Sequence, residues 1–148
     1  MSALAAAIAF AWLGMVLAIS FLEAPLKFRA PGITVPLGLG IGRLVFQALN
    51  AVEIVLATVV VCAVAADPPG PAALAGVGVA VAVLTVQTLV VRPQLRRRSD
   101  AVLAAQTAPP GGMIERSRAH YAYAGLEVVK VAALLTAGAA LQFASVAG

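Results

Sequence analysis

Charged side chains are scarce in this chain: six acidic and ten basic residues among 148, or 11%. A soluble domain carries about a quarter charged residues. So few polar groups cannot cover a water-facing surface, which excludes an ordinary soluble fold and makes the lipid bilayer the expected solvent. Cysteine is limited to Cys62, so an intrachain disulfide and a cysteine metal cluster are both excluded. Within its apolar run, that thiol reads as a small hydrophobe. Histidine is limited to His120, and no ligand motif surrounds it. No metal, haem or other cofactor is expected. Nucleophile elbow, zinc motif and phosphate loop are all missing, which weighs against an enzyme. "GLGIG" lacks the dinucleotide-binding spacing and follows no strand; it reads as a flexible approach to a helix.

What is abundant is apolar. Hydrophobic residues make up 62% of the sequence, and mean hydropathy is +1.02. A helix needs about 20 apolar residues to cross roughly 30 Å of hydrocarbon. Four segments meet this, at about 4–22, 41–65, 72–91 and 118–143. Pro and Gly break the chain between them, in "APGITVPLGLGIG", "ADPPGP" and "RPQLRRRSDAVLAAQTAPPGG". The expected fold is an all-α, four-helix membrane bundle forming a single domain over 1–148, with a basic loop over 92–117. The N-terminal stretch lacks a basic leader and a cleavage signature, so it reads as a retained first span.

Net charge is +4 and the isoelectric point is about 10. That balance suits nucleic acid in other chains, but here the bases fall where membrane topology needs them. Lys27, Arg29 and Arg43 lie in or beside the first loop. Arg92, Arg96, Arg97, Arg98, Arg116 and Arg118 lie in or beside the third. By the positive-inside rule both loops are expected in the cytoplasm, with both termini and the "ADPPGP" turn outside. The preference for Arg, Ala, Val and Gly fits a high-GC bacterial genome, hence a bacterial inner membrane.

The halves share a pattern. "EAPLKFR" closes the first span and "VRPQLRRR" the third, while "PLGLGIGR" matches "PPGGMIER". Arg43, Gln47, Asn50 and Glu53 are spaced 4, 3 and 3; Arg116, His120, Tyr123 and Glu127 are spaced 4, 3 and 4. Each set lies on one helical face. Two parallel helical-hairpin repeats are therefore expected, related by an axis along the membrane normal.

Three ionisable residues interrupt the apolar spans. Glu53 lies about 15 Å along its helix from Arg43, Glu127 about 13 Å from Arg118 and Lys130 about 18 Å. Each costs about 2.5–3.5 kcal/mol near the bilayer centre on insertion scales. The second and fourth helices are therefore expected to pack face to face, so that Glu53, Glu127 and Lys130 meet away from lipid. Asn50, His120 and Tyr123 extend this seam, and Tyr121 and Tyr123 also suit an aromatic belt. Glu23 is expected to meet Arg92 or Lys27 at the boundary. Two carboxylates sharing one ammonium leave surplus negative charge, which calls for a proton or a cation. A structural clamp is the plainer alternative. Small residues at Ala3, Ala7, Ala11, Gly14 and Ala18, and at Ala72, Gly76 and Ala80, allow close helix approach within the bundle or between protomers.

"SFLEAPLKFR", the Gly and Arg before "LVFQALNAVE", and "RPQLRRR" followed by "RSRAHYAY" resemble a family of small four-helix membrane proteins of unknown function. That family is related to a eukaryotic transmembrane protein associated with cisplatin resistance. Its pattern falls here on Pro25, Phe28, Pro93 and His120. The resemblance implies a membrane fold and no settled activity, and its pattern does not include Glu53, Glu127 or Lys130.

The favoured expectation is handling of an ion or small solute through the seam, with proton linkage as an option. An accessory or assembly subunit of a larger complex is the alternative, and an intramembrane enzyme the third. So small a bundle is expected to form a homo-oligomer or to join partner membrane subunits; no nucleic-acid partner is expected.

Overall fold

The computed structural model describes residues 2–94, 97 and 118–147, with Arg118, Ala119, His120 and Ala147 described in backbone only. All ordered elements among the described residues are helical. Four spans are long and apolar enough to cross a membrane: Ser2–Arg29, Val35–Ala66, Pro71–Gln94 and Tyr121–Val146. The expected loop over 92–117 lies almost wholly outside the described residues, as do Arg96, Arg98, Arg116 and "PPGGMIER".

Helix α1 (Ser2–Val16) runs on into a π-helical stretch, Leu17–Glu23, and ends in short turns over Ala24–Leu26 and Lys27–Arg29. Helix α2 covers Val35–Ala66. Helix α3 (Pro71–Val86) continues into a second π-helical stretch, Gln87–Val91, and α4 covers Arg118–Ala147. Both widened stretches precede a proline, Pro25 or Pro93. A proline ring clashes with the carbonyl four residues earlier, and wider turns relieve that clash.

Helix α2 starts earlier than its hydropathy suggests. Thr34 caps it by accepting from the Leu37 amide, and Pro36 pre-sets the first turn. "GLGIG" is therefore helical, which corrects its reading as a flexible approach. Its glycines make room for side chains from the end of the first span. The Phe28 ring lies on Gly38, and a Cβ on Gly42 would stand 2.7 Å from Lys27 Nζ.

The helices stand in cyclic order. α1 packs on α2 and α4; α3 packs closely on α4 and more lightly on α2. α2 and α4 are thus diagonal partners, correcting the expected face-to-face packing. Small residues explain the choice. Ala5, Ala6 and Ala9 of α1, with Gly76 and Ala80 of α3, are buried, as are Ala133 and Ala137 of α4. A Cβ on Gly76 would stand 2.8 Å from the Ala133 carbonyl oxygen and 2.9 Å from Ala137 N. Between helices in lipid, such close van der Waals contact substitutes for a hydrophobic drive. Ala3, Ala7, Ala11, Gly14 and Ala18 instead face outward, as does Ala72.

Two apolar layers fill one half of the core. Ala5, Ala6, Val60, Ala63, Val64, Ala73, Val77, Ala137 and Leu141 form the first. Trp12, Leu13, Val16, Ala57, Ala80, Leu84, Ala133 and Leu134 form the second. Polar side chains occupy the core beyond them, toward Lys27 and Arg92. Much of the outer surface is apolar, with Leu44, Val55, Leu89 and Phe143 all exposed.

Candidate functional site

The buried polar residues meet where the second apolar layer ends. Asn50, Glu53, Gln87, Glu127 and Lys130 are each at most 3% exposed, deep enough to exclude bulk solvent. Lys130 Nζ is the hub. It donates to Glu53 Oε1 at 2.6 Å, to Gln87 Oε1 at 2.7 Å and to Glu127 Oε1 at 3.3 Å. An ammonium has three N–H groups, so its donors are all engaged. Trp12 Nε1 also donates to Glu53 Oε1, at 2.9 Å, and Gln87 Nε2 donates to Glu127 Oε1 at 3.1 Å. Each of the four helices supplies at least one member.

Diagonal packing makes this possible. The long Glu53 and Lys130 side chains reach each other across the diagonal between α2 and α4. Gln87 follows Val77, Ala80 and Leu84 on the buried face of α3, at ordinary helical spacing, and opens the π-helical stretch that leads into Pro93. Trp12 brings the one indole of the chain to the central layer, where its N–H requires an acceptor.

Among the buried oxygens that lack a hydrogen-bond partner are Glu53 Oε2, Glu127 Oε2 and Asn50 Oδ1. Asn50 Nδ2 donates to Thr88 Oγ1 at 3.3 Å, and Thr88 donates in turn to the Leu84 carbonyl at 2.8 Å. The Tyr123 ring meets Phe46 edge-to-face, with centroids 5.6 Å apart. Tyr123 is therefore part of the interior, which corrects its place in an aromatic belt; Tyr121 is 61% exposed and suits one. The side chain of His120 lies outside the described residues.

At the boundary, Glu23 accepts from Lys27 Nζ at 3.4 Å, the second of its two expected partners. Lys27 Nζ also lies 5.4 Å from the centre of the Phe46 ring. Arg92 donates to the Phe46 carbonyl. With Gln47, Thr88 and Pro93 it lines a pocket of about 190 Å³. A larger groove of about 410 Å³ opens between α2 and α3 on the outer face, lined mainly by apolar groups with Thr58, Thr85 and Cys62.

The sequence alone brought Glu53, Glu127 and Lys130 to one depth. It did not reveal Gln87 or Trp12. Signals for both exist: Gln87 is an amide inside an apolar span six residues before a proline, and Trp12 lies in mid-span, far from the interfaces where indoles collect. Among known proteins, no family model, curated protein or solved structure matches this chain.

Proposed function

We propose that this chain is a multi-pass membrane protein that handles an ion or small solute at its buried centre, with a proton as the simplest coupled species. One observation carries the reading. Two carboxylates and one ammonium share a site closed to solvent, giving −2 + 1 = −1. A clamp that only fixed helix register would be better served by equal charges, because uncompensated charge in a low dielectric is costly. One further positive charge, taken up and released, restores the balance.

The bases support the topology in which both long loops face the cytoplasm of a bacterial inner membrane and both termini lie outside. Lys27, Arg29 and Arg92 all sit at the end of the bundle remote from the "ADPPGP" turn. The matched π-helical stretches ahead of Pro25 and Pro93 support duplication of a helical hairpin.

Reconstitution tests the function. Vesicles carrying the wild-type chain are expected to dissipate an imposed pH gradient, read with an entrapped dye. Glu53→Gln and Glu127→Gln should fold, as judged by gel filtration, and lose that flux. Equal loss of assembly in Glu53→Gln, Glu127→Gln and Lys130→Met, with no wild-type flux, would establish the clamp instead.

A second reading, as a subunit of a larger complex, draws on the outward-facing stripe Ala3, Ala7, Ala11, Gly14 and Ala18. Purification in mild detergent separates the two: co-purifying membrane partners favour the subunit, a homo-oligomer the autonomous carrier.

A further inference from the structure

We infer that the outer groove between α2 and α3 holds one acyl chain of a phospholipid whose anionic head sits at Arg92. The inference does not depend on the ion-handling reading. α3 packs on α2 more lightly than on α4. Asn50 donates to Thr88, and Arg92 to the Phe46 carbonyl, which ties the α2–α3 seam together at its Arg92 end. Past these bonds the helices part, and the groove of about 410 Å³ runs from Thr88 and Leu89 to Cys62 and Val81. Ile54, Val61 and Leu89 make its exposed walls apolar. Thr58, Thr85 and Thr88 donate to carbonyls of their own helices, each at 2.8 Å, so no hydroxyl hydrogen is presented to a ligand. A groove so lined takes hydrocarbon.

What lies beside the groove selects the head. Thr88 also lines the smaller pocket of about 190 Å³, with Gln47, Arg92 and Pro93, so the two cavities adjoin. Exposed Arg43 lies one turn from Gln47 on α2 and adds a second positive charge at this end. Among the described residues no acid lines either cavity. A guanidinium pairs with a phosphate, and a head of net negative charge is favoured over a zwitterion that brings its own cation. Val81 precedes Arg92 by 11 residues, about 16 Å along α3. Half of a bilayer's hydrocarbon is about 15 Å thick. The cleft therefore matches one leaflet, with its cation at the polar boundary and its apolar end at the midplane. A helix of a second copy is a poorer match. An α-helix about 10 Å across fills roughly 900 Å³ over the roughly 12 Å from Ile54 to Cys62, more than twice the groove.

The test uses the purified full chain in mild detergent, titrated with phosphatidylglycerol or with phosphatidylcholine of the same acyl chains and followed by native mass spectrometry. One phosphatidylglycerol should bind saturably, about tenfold more tightly than phosphatidylcholine, as a single charge-assisted contact gives. Arg92→Gln should bring the two lipids level, and Arg92→Lys should keep part of the preference. Thr85→Phe fills the groove and should abolish binding of both lipids. Val55→Phe, on the exposed face outside the groove, should leave binding unchanged. Equal affinity of the wild type for the two lipids overturns the inference, as does a phosphatidylglycerol preference that survives Thr85→Phe. A dimer that binds no lipid and dissociates on Thr85→Phe assigns the groove to a second copy and overturns it too.

Discussion

At the scale of single residues, Lys130 is the most exposed to loss. Its removal leaves two buried carboxylates without a cation, so Lys130→Met should destabilise the bundle by about 3–5 kcal/mol. The neutral combination Glu53→Gln, Glu127→Gln and Lys130→Met should recover much of that loss, because the partners then fall together. Unfolding in mixed detergent micelles checks both. Trp12→Phe keeps the ring packing and removes one donor to Glu53, which should cost about 1–3 kcal/mol in the same assay. The limits of the sequence are clearest here. Glu53, Glu127 and Lys130 are legible because charge is rare and spacing gives depth. Gln87 and Trp12 are not, because an uncharged donor in an apolar span carries no expectation of direction. Gln87 continues the inward-facing series Ala73, Val77, Ala80 and Leu84 at ordinary helical spacing, but with apolar residues on every side of the span hydropathy does not mark that face.

At the scale of elements, proline and glycine decide more than hydropathy does. The π-helical stretch Gln87–Val91 leads into Pro93. Gln87→Leu removes the acceptor for Lys130 and the donor to Glu127, and should cost about 1–3 kcal/mol in the same unfolding assay. Gly76 lies against α4, so Gly76→Val should overpack the interface and cost about 1–3 kcal/mol. Gly78→Val points into open space and should leave stability almost unchanged. Thermal unfolding of the two variants side by side is the comparison. The four helices were legible from apolar length alone, while their neighbours were not. Shared depth made α2 and α4 look adjacent, but depth is equally compatible with a diagonal. The small residues on α1, α3 and α4 settle the matter, and in so alanine-rich a chain their spacing alone does not single out the inner face. The early start of α2 was obscured by glycines that suit a turn but here admit Phe28 and Lys27.

At the scale of the whole molecule, the bundle is dry toward one end and polar toward the other. The proposed topology puts the polar end in the cytoplasm. In a Cys62→Ser background, Ala30→Cys should react with a membrane-impermeant maleimide only from the cytoplasmic side, and Pro69→Cys only from outside; the opposite pattern would invert the bundle. The central network has one more effect. Because every helix contributes to it at a single level, none can slide along its neighbours without breaking it. A thicker or thinner bilayer therefore cannot be met by telescoping one rod past another. The mismatch must go into tilting the assembly as a body or into stretching the surrounding lipid, so the surroundings adapt to this protein more than it adapts to them.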